Sequence, residues 1–269
     1  TLPGCAYLDV ALRAGEIATG RKVSSVNNIT WVRPLTVEGN TPLEMSVELK
    51  VNGDNITFDA FSESATGEKT HYSQGRLAFA LDSLAAPAPE YLDIERIRAR
   101  MTQTVTRQQA YALFASAGLE YGPSFQLIQN LYYSADEALG MLVLPESRTA
   151  DFHDFVLHPC LLDAAMQAGV VGRLQGALEQ MKVPYSIGKV EVLHPLTRLC
   201  YSHVTQDQDA RQADSGVSRE NVTITDETGK VLVRITASVG VPLTRVQDKA
   251  TSLPAADAPA PQPLSPVPA

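Results

Sequence analysis

Apolar positions recur along this chain in two rhythms. Between residues 2 and 14 they fall at helical spacing: Cys5, Leu8, Ala11 and Leu12 form one stripe, and Gly15 is expected to end the helix. Asp9 and Arg13 lie four residues apart on another face, where an ion pair is expected, and Asp9 reads as structural. The rhythm then shortens to two. Segment 22–37 is β-branched until Pro34 breaks it, and 43–51 puts Leu43, Met45, Val47, Leu49 and Val51 on one face. A turn at Asn52-Gly53-Asp54 leads to a returning strand at 56–61, and 70–81 continues with Tyr72, Leu77, Phe79 and Leu81. A Pro/Ala connector at 85–90 precedes 92–100, which reads as a short helix or an irregular link.

Helical spacing returns at 106–118, with Tyr111, Leu113, Phe114 and Ala117 on the apolar face and Gly118 at the end. Strand patterns occupy 125–133, 137–145, 187–195, 200–206, 222–226 and 231–241, with a hairpin turn at 226–230. Between them lies the stretch 156–169, around which the rest is organised. Pro159 suits the first helical position, where a missing N–H costs nothing. Leu161, Leu162, Ala165, Met166 and Gly169 share one face; Gly169 allows either a helix end or close packing. Asp163 and Gln167 are neighbours one turn apart. A carboxylate in so apolar a helix is unusual, because burying a charge is costly unless it is paired or has a task. Asp163 has two readings. It is an exposed carboxylate favoured by the helix dipole, or a general acid in an apolar cleft oriented by Gln167. The dipole lowers its pKa and burial raises it.

The pattern divides the chain into two tandem α+β units at 1–90 and 106–245, joined by a link at 91–105 and followed by a Pro/Ala-rich tail at 246–269. Each unit is a long helix with about half of the strands. The start without Met, at Thr1-Leu2-Pro3-Gly4, and the linker-like tail suggest a segment of a longer polypeptide.

Composition narrows the function classes. The formal net charge is −8, against the basic surface that nucleic-acid binding needs. No apolar run reaches a membrane span, and no signal peptide opens the chain. The 3 cysteines, Cys5, Cys160 and Cys200, are far apart and read as buried thiols in a cytoplasmic protein. No metal is expected, because no cysteine or histidine spacing suits one. There is no GxSxG elbow and no Gly-rich phosphate loop. Among the histidines, His71 and His203 sit in strands, His194 in a turn and His153 in a polar loop. For His158, before the helix, structural and catalytic roles are equally open.

Four motifs carry a family resemblance. His158-Pro159 followed by Asp163 and Gln167 resembles the second catalytic motif, HPxxxDxxxQ, of the dehydratase domains of bacterial modular type I polyketide synthases. Tyr121-Gly122-Pro123-Ser124-Phe125 resembles the family's YGPxF motif. Val183-Pro184-Tyr185-Ser186-Ile187 resembles its LPFSW-type segment. Leu2-Pro3-Gly4-Cys5-Ala6-Tyr7 resembles the end of its first motif, HxxxGxxxxPG. The motifs follow the family's order over residues 1 to 245, and segment 183–203 resembles synthases whose acyltransferase acts in trans.

The resemblance implies a double hot-dog fold, α+β, with a central helix wrapped by an antiparallel sheet in each unit. It implies dehydration of a 3-hydroxyacyl group, carried on the phosphopantetheine of an acyl carrier protein, to a 2-enoyl thioester, with no bound cofactor. Asp163 would be the acid, Gln167 its orienting partner and Tyr121 a hydrogen-bond donor to the departing hydroxyl. His158, Pro159, Gly122, Pro123, Phe125 and Tyr185 would line the substrate. The base would be the first motif's histidine. Counting back nine residues from Pro3 puts it ahead of Thr1, and the motif's glycine lies upstream too. Neighbouring synthase domains and a homodimer are implied as partners. Relatives that shift a double bond or close a cyclic ether, and a non-catalytic docking domain without the base, are the alternatives. Asp163 and Pro3 together favour dehydration.

Overall fold

The computed structural model describes residues 1–37, 39, 42–53, 55–80, 88–174, 182–206 and 217–242. Asp54, the start of the expected connector and the expected tail lie outside them.

Helix α1 spans Gly4–Thr19 and buries Cys5, Leu8, Ala11 and Leu12, the expected stripe. It does not stop at Gly15. Gly20, at φ 67°, ends it, with its N–H donating to the Glu16 carbonyl. Gly15 is needed for close approach: a Cβ there would lie 2.5 Å from Leu77 Cδ1 and 3.0 Å from Val23 Cγ2. Four strands follow: β1 (Val23–Trp31), β2 (Ser46–Asn52), β3 (Asn55–Glu63) and β4 (Lys69–Phe79).

In the segment expected as a link, the helical reading of 92–100 is the one the structure adopts, and a strand follows it. The segment holds helix α2 (Ile94–Ala99), capped by the Asp93 side chain on the Arg96 N–H, and strand β5 (Gln103–Thr106). Helix α3 (Arg107–Ser116) starts in a capping box between Thr106 and Gln109. Then come β6 (Ile128–Tyr133), β7 (Glu137–Val143), α4 (Pro159–Leu174), β8 (Lys182–Val192), β9 (Leu199–Gln206), β10 (Ser218–Thr225) and β11 (Val231–Pro242). β8 starts five residues earlier than its pattern predicts, because Lys182 to Pro184 pair with the end of β11.

The strands form one 11-stranded sheet in the order β2-β3-β4-β1-β8-β11-β10-β9-β7-β6-β5. The units join where β1 meets β8 antiparallel, with Val26 opposite Val190 and Ile29 opposite Ile187. Helix α1 packs on β1, β2 and β4; α4 packs on β6, β7, β9 and β10; the two helices touch. This is a double hot-dog fold. One apolar core runs through both units, with Leu8 and Leu12 of α1 and Leu161 and Leu162 of α4 all buried. Gly169 lies inside α4 and lets it approach the sheet: a Cβ there would come 2.9 Å from Val204 Cγ1.

Asp9 ties the units together at the start of α4. Its Oδ1 accepts the Val156 and Leu157 N–H groups, both at 2.8 Å, and the residue is buried. Arg13 does not pair with it as expected; its Nη2 donates to the Asp154 carbonyl at 2.7 Å. The loop before α4 thus draws both side chains away from each other. Among the described residues, no helix is long and apolar enough to cross a membrane.

Candidate active site

Asp163 lies on α4 and faces α1. Its carboxyl is held from both units. Gln167 Nε2, one turn along α4, donates to Oδ2 at 2.7 Å, and the Cys5 thiol of α1 donates to Oδ1 at 3.9 Å. Gln167 is itself fixed. Its Nε2 also reaches the Phe125 carbonyl at 3.2 Å, and its Oε1 accepts the Tyr111 hydroxyl at 3.0 Å. The Tyr111 oxygen accepts the Ile128 N–H at 3.1 Å. Its one proton has two acceptors, and the contact to Gln167 is shorter than the 3.2 Å to the Phe125 carbonyl. With the Gln167 carbonyl turned to Tyr111, its amide faces the carboxyl.

Burial pushes the Asp163 pKa up to about 6, opposed by the hydrogen bonds from Gln167 and Cys5. Burial first, and then Asp163, push the Cys5 thiol and the Tyr121 phenol well up. The Tyr121 ring stands edge-on to Phe114 at 5.0 Å and to Tyr111 at 6.2 Å, and among the described residues its hydroxyl takes no protein partner. The result is a carboxyl that titrates near neutrality beside neutral donors, the state a general acid needs.

The YGPxF segment positions this cluster through its backbone. Pro123–Phe125 form one 3-10 turn, closed by the Phe125 N–H on the Gly122 carbonyl at 2.9 Å. That turn presents the Phe125 carbonyl to Gln167, and Gln126 Nε2 donates to the Tyr121 carbonyl at 2.8 Å. A Cβ at Gly122 would meet nothing within 4 Å, so packing does not demand glycine there.

The other expected site residues lie outside the cluster. Pro159 begins α4. His158 is buried, stacked near Phe152 at 6.0 Å and edge-on to Phe155 at 5.0 Å, with Nε2 3.8 Å from Asp151 Oδ1. Burial lowers its pKa. Its carbonyl accepts the Leu162 N–H at 3.1 Å. Tyr185 lies on β8, and none of the contacts just described includes it. His71 pairs with Asp59, and His203 with Glu137. Among the described residues, no group of three or more His, Cys, Asp or Glu side chains could hold a metal ion. A cleft of about 640 Å³ opens beyond the other end of α1, lined by Arg13, Arg21, Lys22 and His158 but by no member of the Asp163 cluster.

Two members, Cys5 and Tyr111, read in the sequence only as apolar helix positions. Cys5 directly follows Pro3-Gly4, and that placement was its one signal. Nothing marked the Tyr111 hydroxyl.

Residues 90–252 match the family model described as polyketide synthase dehydratase N-terminal domain, and residues 1–63 match that described as polyketide synthase dehydratase domain. The chain belongs to the polyketide synthase dehydratase family. It is 32% identical over 249 residues to the polyketide synthase PksM and 30% over 244 residues to PksN, both of Bacillus subtilis (strain 168). Each alignment covers 87% of this dehydratase chain but only 6% and 4% of those much longer proteins. A trans-AT PKS dehydratase domain from Brevibacillus brevis superposes with a TM-score of 0.80 at 28% identity, covering 90% of this chain and 85% of that one. The dehydratase domain from the CurF module of curacin polyketide synthase has a TM-score of 0.78 at 23% identity, over 88% and 83% of the two chains.

Proposed function

We propose that this dehydratase domain removes water from a 3-hydroxyacyl group, carried on the phosphopantetheine of an acyl carrier protein, to give a 2-enoyl thioester. The observation that carries the reading is the Asp163 carboxyl, raised to about 6 and gripped on Oδ2 by Gln167. Hydroxide is a poor leaving group and needs a proton as the C–O bond breaks. Asp163, protonated, supplies it from Oδ1. Tyr121 donates a hydrogen bond to the departing hydroxyl. A base removes the α proton, and its electron pair forms the C=C bond as water leaves. The developing charge on the thioester oxygen is met by backbone N–H groups at a helix N-terminus. The base is a histidine nine residues ahead of Pro3, before Thr1. Pro159, Gly122, Pro123, Phe125, Tyr185 and His158 line or support the acyl chain.

No bound cofactor takes part. The partners are the carrier protein, neighbouring synthase domains of the same polypeptide and a second copy in a homodimer, in the cytoplasm. The three buried free thiols fit a reducing compartment.

A mass-spectrometric assay on a synthetic 3-hydroxyacyl carrier thioester tests the proposal. The domain with its native upstream residues is compared with residues 1–269 alone. Loss of water in the extended form only is expected. No loss in either, with both folded, overturns it. A shifted double bond or an ether from the matching test substrates supports isomerase or cyclase activity instead.

A further inference from the structure

Two groups hold the Asp163 carboxyl, and only Gln167 belongs to its own helix. The other, Cys5, comes from α1 in the opposite unit. Its Sγ is 3.9 Å from Asp163 Oδ1 and 3.6 Å from the Met166 Sδ, and the residue is 3% exposed. We propose that Cys5 is a positioning residue for the acid: its thiol holds Oδ1 while Gln167 holds Oδ2, fixing the plane of the carboxyl across the junction of the units.

The surroundings leave this task to those two donors. The titratable groups facing Asp163 are Cys5 from α1, Tyr111 from α3, Tyr121 from the loop after α3, and Cys160 from its own helix. Burial keeps all four neutral at physiological pH, with Cys160 pushed up to about 11. A neutral neighbour supports a buried carboxylate only by donating a hydrogen bond. Gln167 and Cys5 are the two groups that lower the Asp163 pKa. The thiol has one proton and two nearby acceptors, Oδ1 and the Met166 sulfur. A carboxylate accepts far better than a thioether, so ionisation of Asp163 draws the S–H towards Oδ1. On the protonated carboxyl Oδ1 keeps a lone pair as acceptor, so the thiol still locates it while its proton points away to the substrate.

The role rests on the proposed function only for its consequence in catalysis, so the test reads the carboxyl directly. The Asp163 Cγ resonance is titrated by 13C NMR in protein labelled at aspartate, assigned with Asp163→Asn, for the wild type, Cys5→Ala and Cys5→Ser. Removing the donor in Cys5→Ala is expected to raise the midpoint by about half a unit. Cys5→Ser, which restores a stronger donor, should bring it back to the wild-type value or below. Cys5→Val fills the volume without a donor and should behave as Cys5→Ala, which separates hydrogen bonding from packing. An unchanged midpoint in Cys5→Ala and Cys5→Val overturns the proposal, as does Cys5→Ser moving with them. Dehydration is assayed on the same proteins. A shifted midpoint without water loss at any pH would leave the positioning role standing and defeat the proposed reaction instead.

Discussion

Gln167 Nε2 and Asp163 Oδ2 are 2.7 Å apart on consecutive turns of α4, and the Tyr111 hydroxyl, 3.0 Å from Gln167 Oε1, decides which end of the amide faces the acid. A residue on a different helix therefore sets the hydrogen-bond polarity at the carboxyl. Gln167→Leu removes the donor and strands both partners in a buried site. Its turnover should fall by up to about 100-fold through misplacement of the acid, with KM little changed. Steady-state kinetics on the carrier-bound substrate check this.

The raised pKa of Asp163 also makes a stability prediction. Its folded value, about 6, lies above the ordinary 3.8, so the protonated form is favoured by folding. The stability it contributes is complete below about pH 4 and is lost as pH rises through about 6. Asp163→Asn keeps the shape without the charge. At pH 8 it should be more stable than the wild type by on the order of 2 kcal/mol, and the gain should vanish towards pH 4. Thermal denaturation across that range is the measurement.

Glu137 has the opposite sign. Arg100, first, and His203 hold its carboxyl down at about 2, below the usual 4.5. Arg100 Nη2 and His203 Nε2 each lie 2.8 Å from Glu137 Oε2. The stability from this cluster is present above pH 4.5 and is lost as pH falls towards 2. Arg100 is 47% exposed, so solvent screens much of the interaction. Glu137→Gln should cost about 1 kcal/mol at pH 7 and less as the solution is acidified. Urea titrations at pH 7 and pH 4 read the difference.

Asp9 closes the start of α4. Asp9→Ala leaves the Val156 and Leu157 N–H groups without their acceptor next to a buried segment. A loss of about 2–4 kcal/mol is expected, checked by chemical denaturation.

Much of this was legible in the residues because periodicity reports burial. The stripe on α1, most strand alternations and the Asp163–Gln167 spacing appear in the structure; the exception is 43–51, where Leu43 lies ahead of β2 and both Leu43 and Val51 are exposed. Boundaries failed where tertiary contact overrode local pattern. Gly15 reads as a stop, yet Leu77 and Val23 press against it inside α1. β5 lies in a stretch too polar to announce it and is held by pairing with β6, whereas α2, one of the two readings of 92–100, is fixed by the Asp93 cap. Arg13 turns to the Asp154 carbonyl because the loop before α4, distant in sequence, passes beside it. The Asp163–Gln167 pair was readable as a local i, i+4 relationship. The donors from α1 and α3 were not, because only the fold brings Cys5 to the carboxyl and Tyr111 to Gln167, across 158 and 56 positions of sequence.

The central claim is that Asp163 delivers the proton that releases water. Asp163→Asn, in the domain with its native upstream residues, is the direct test, with mass spectrometry following a 3-hydroxyacyl carrier thioester. A folded, thermally stable protein is expected, with water loss slowed by about 10³-fold or more. Turnover within a few-fold of the wild type would assign the acid to another group.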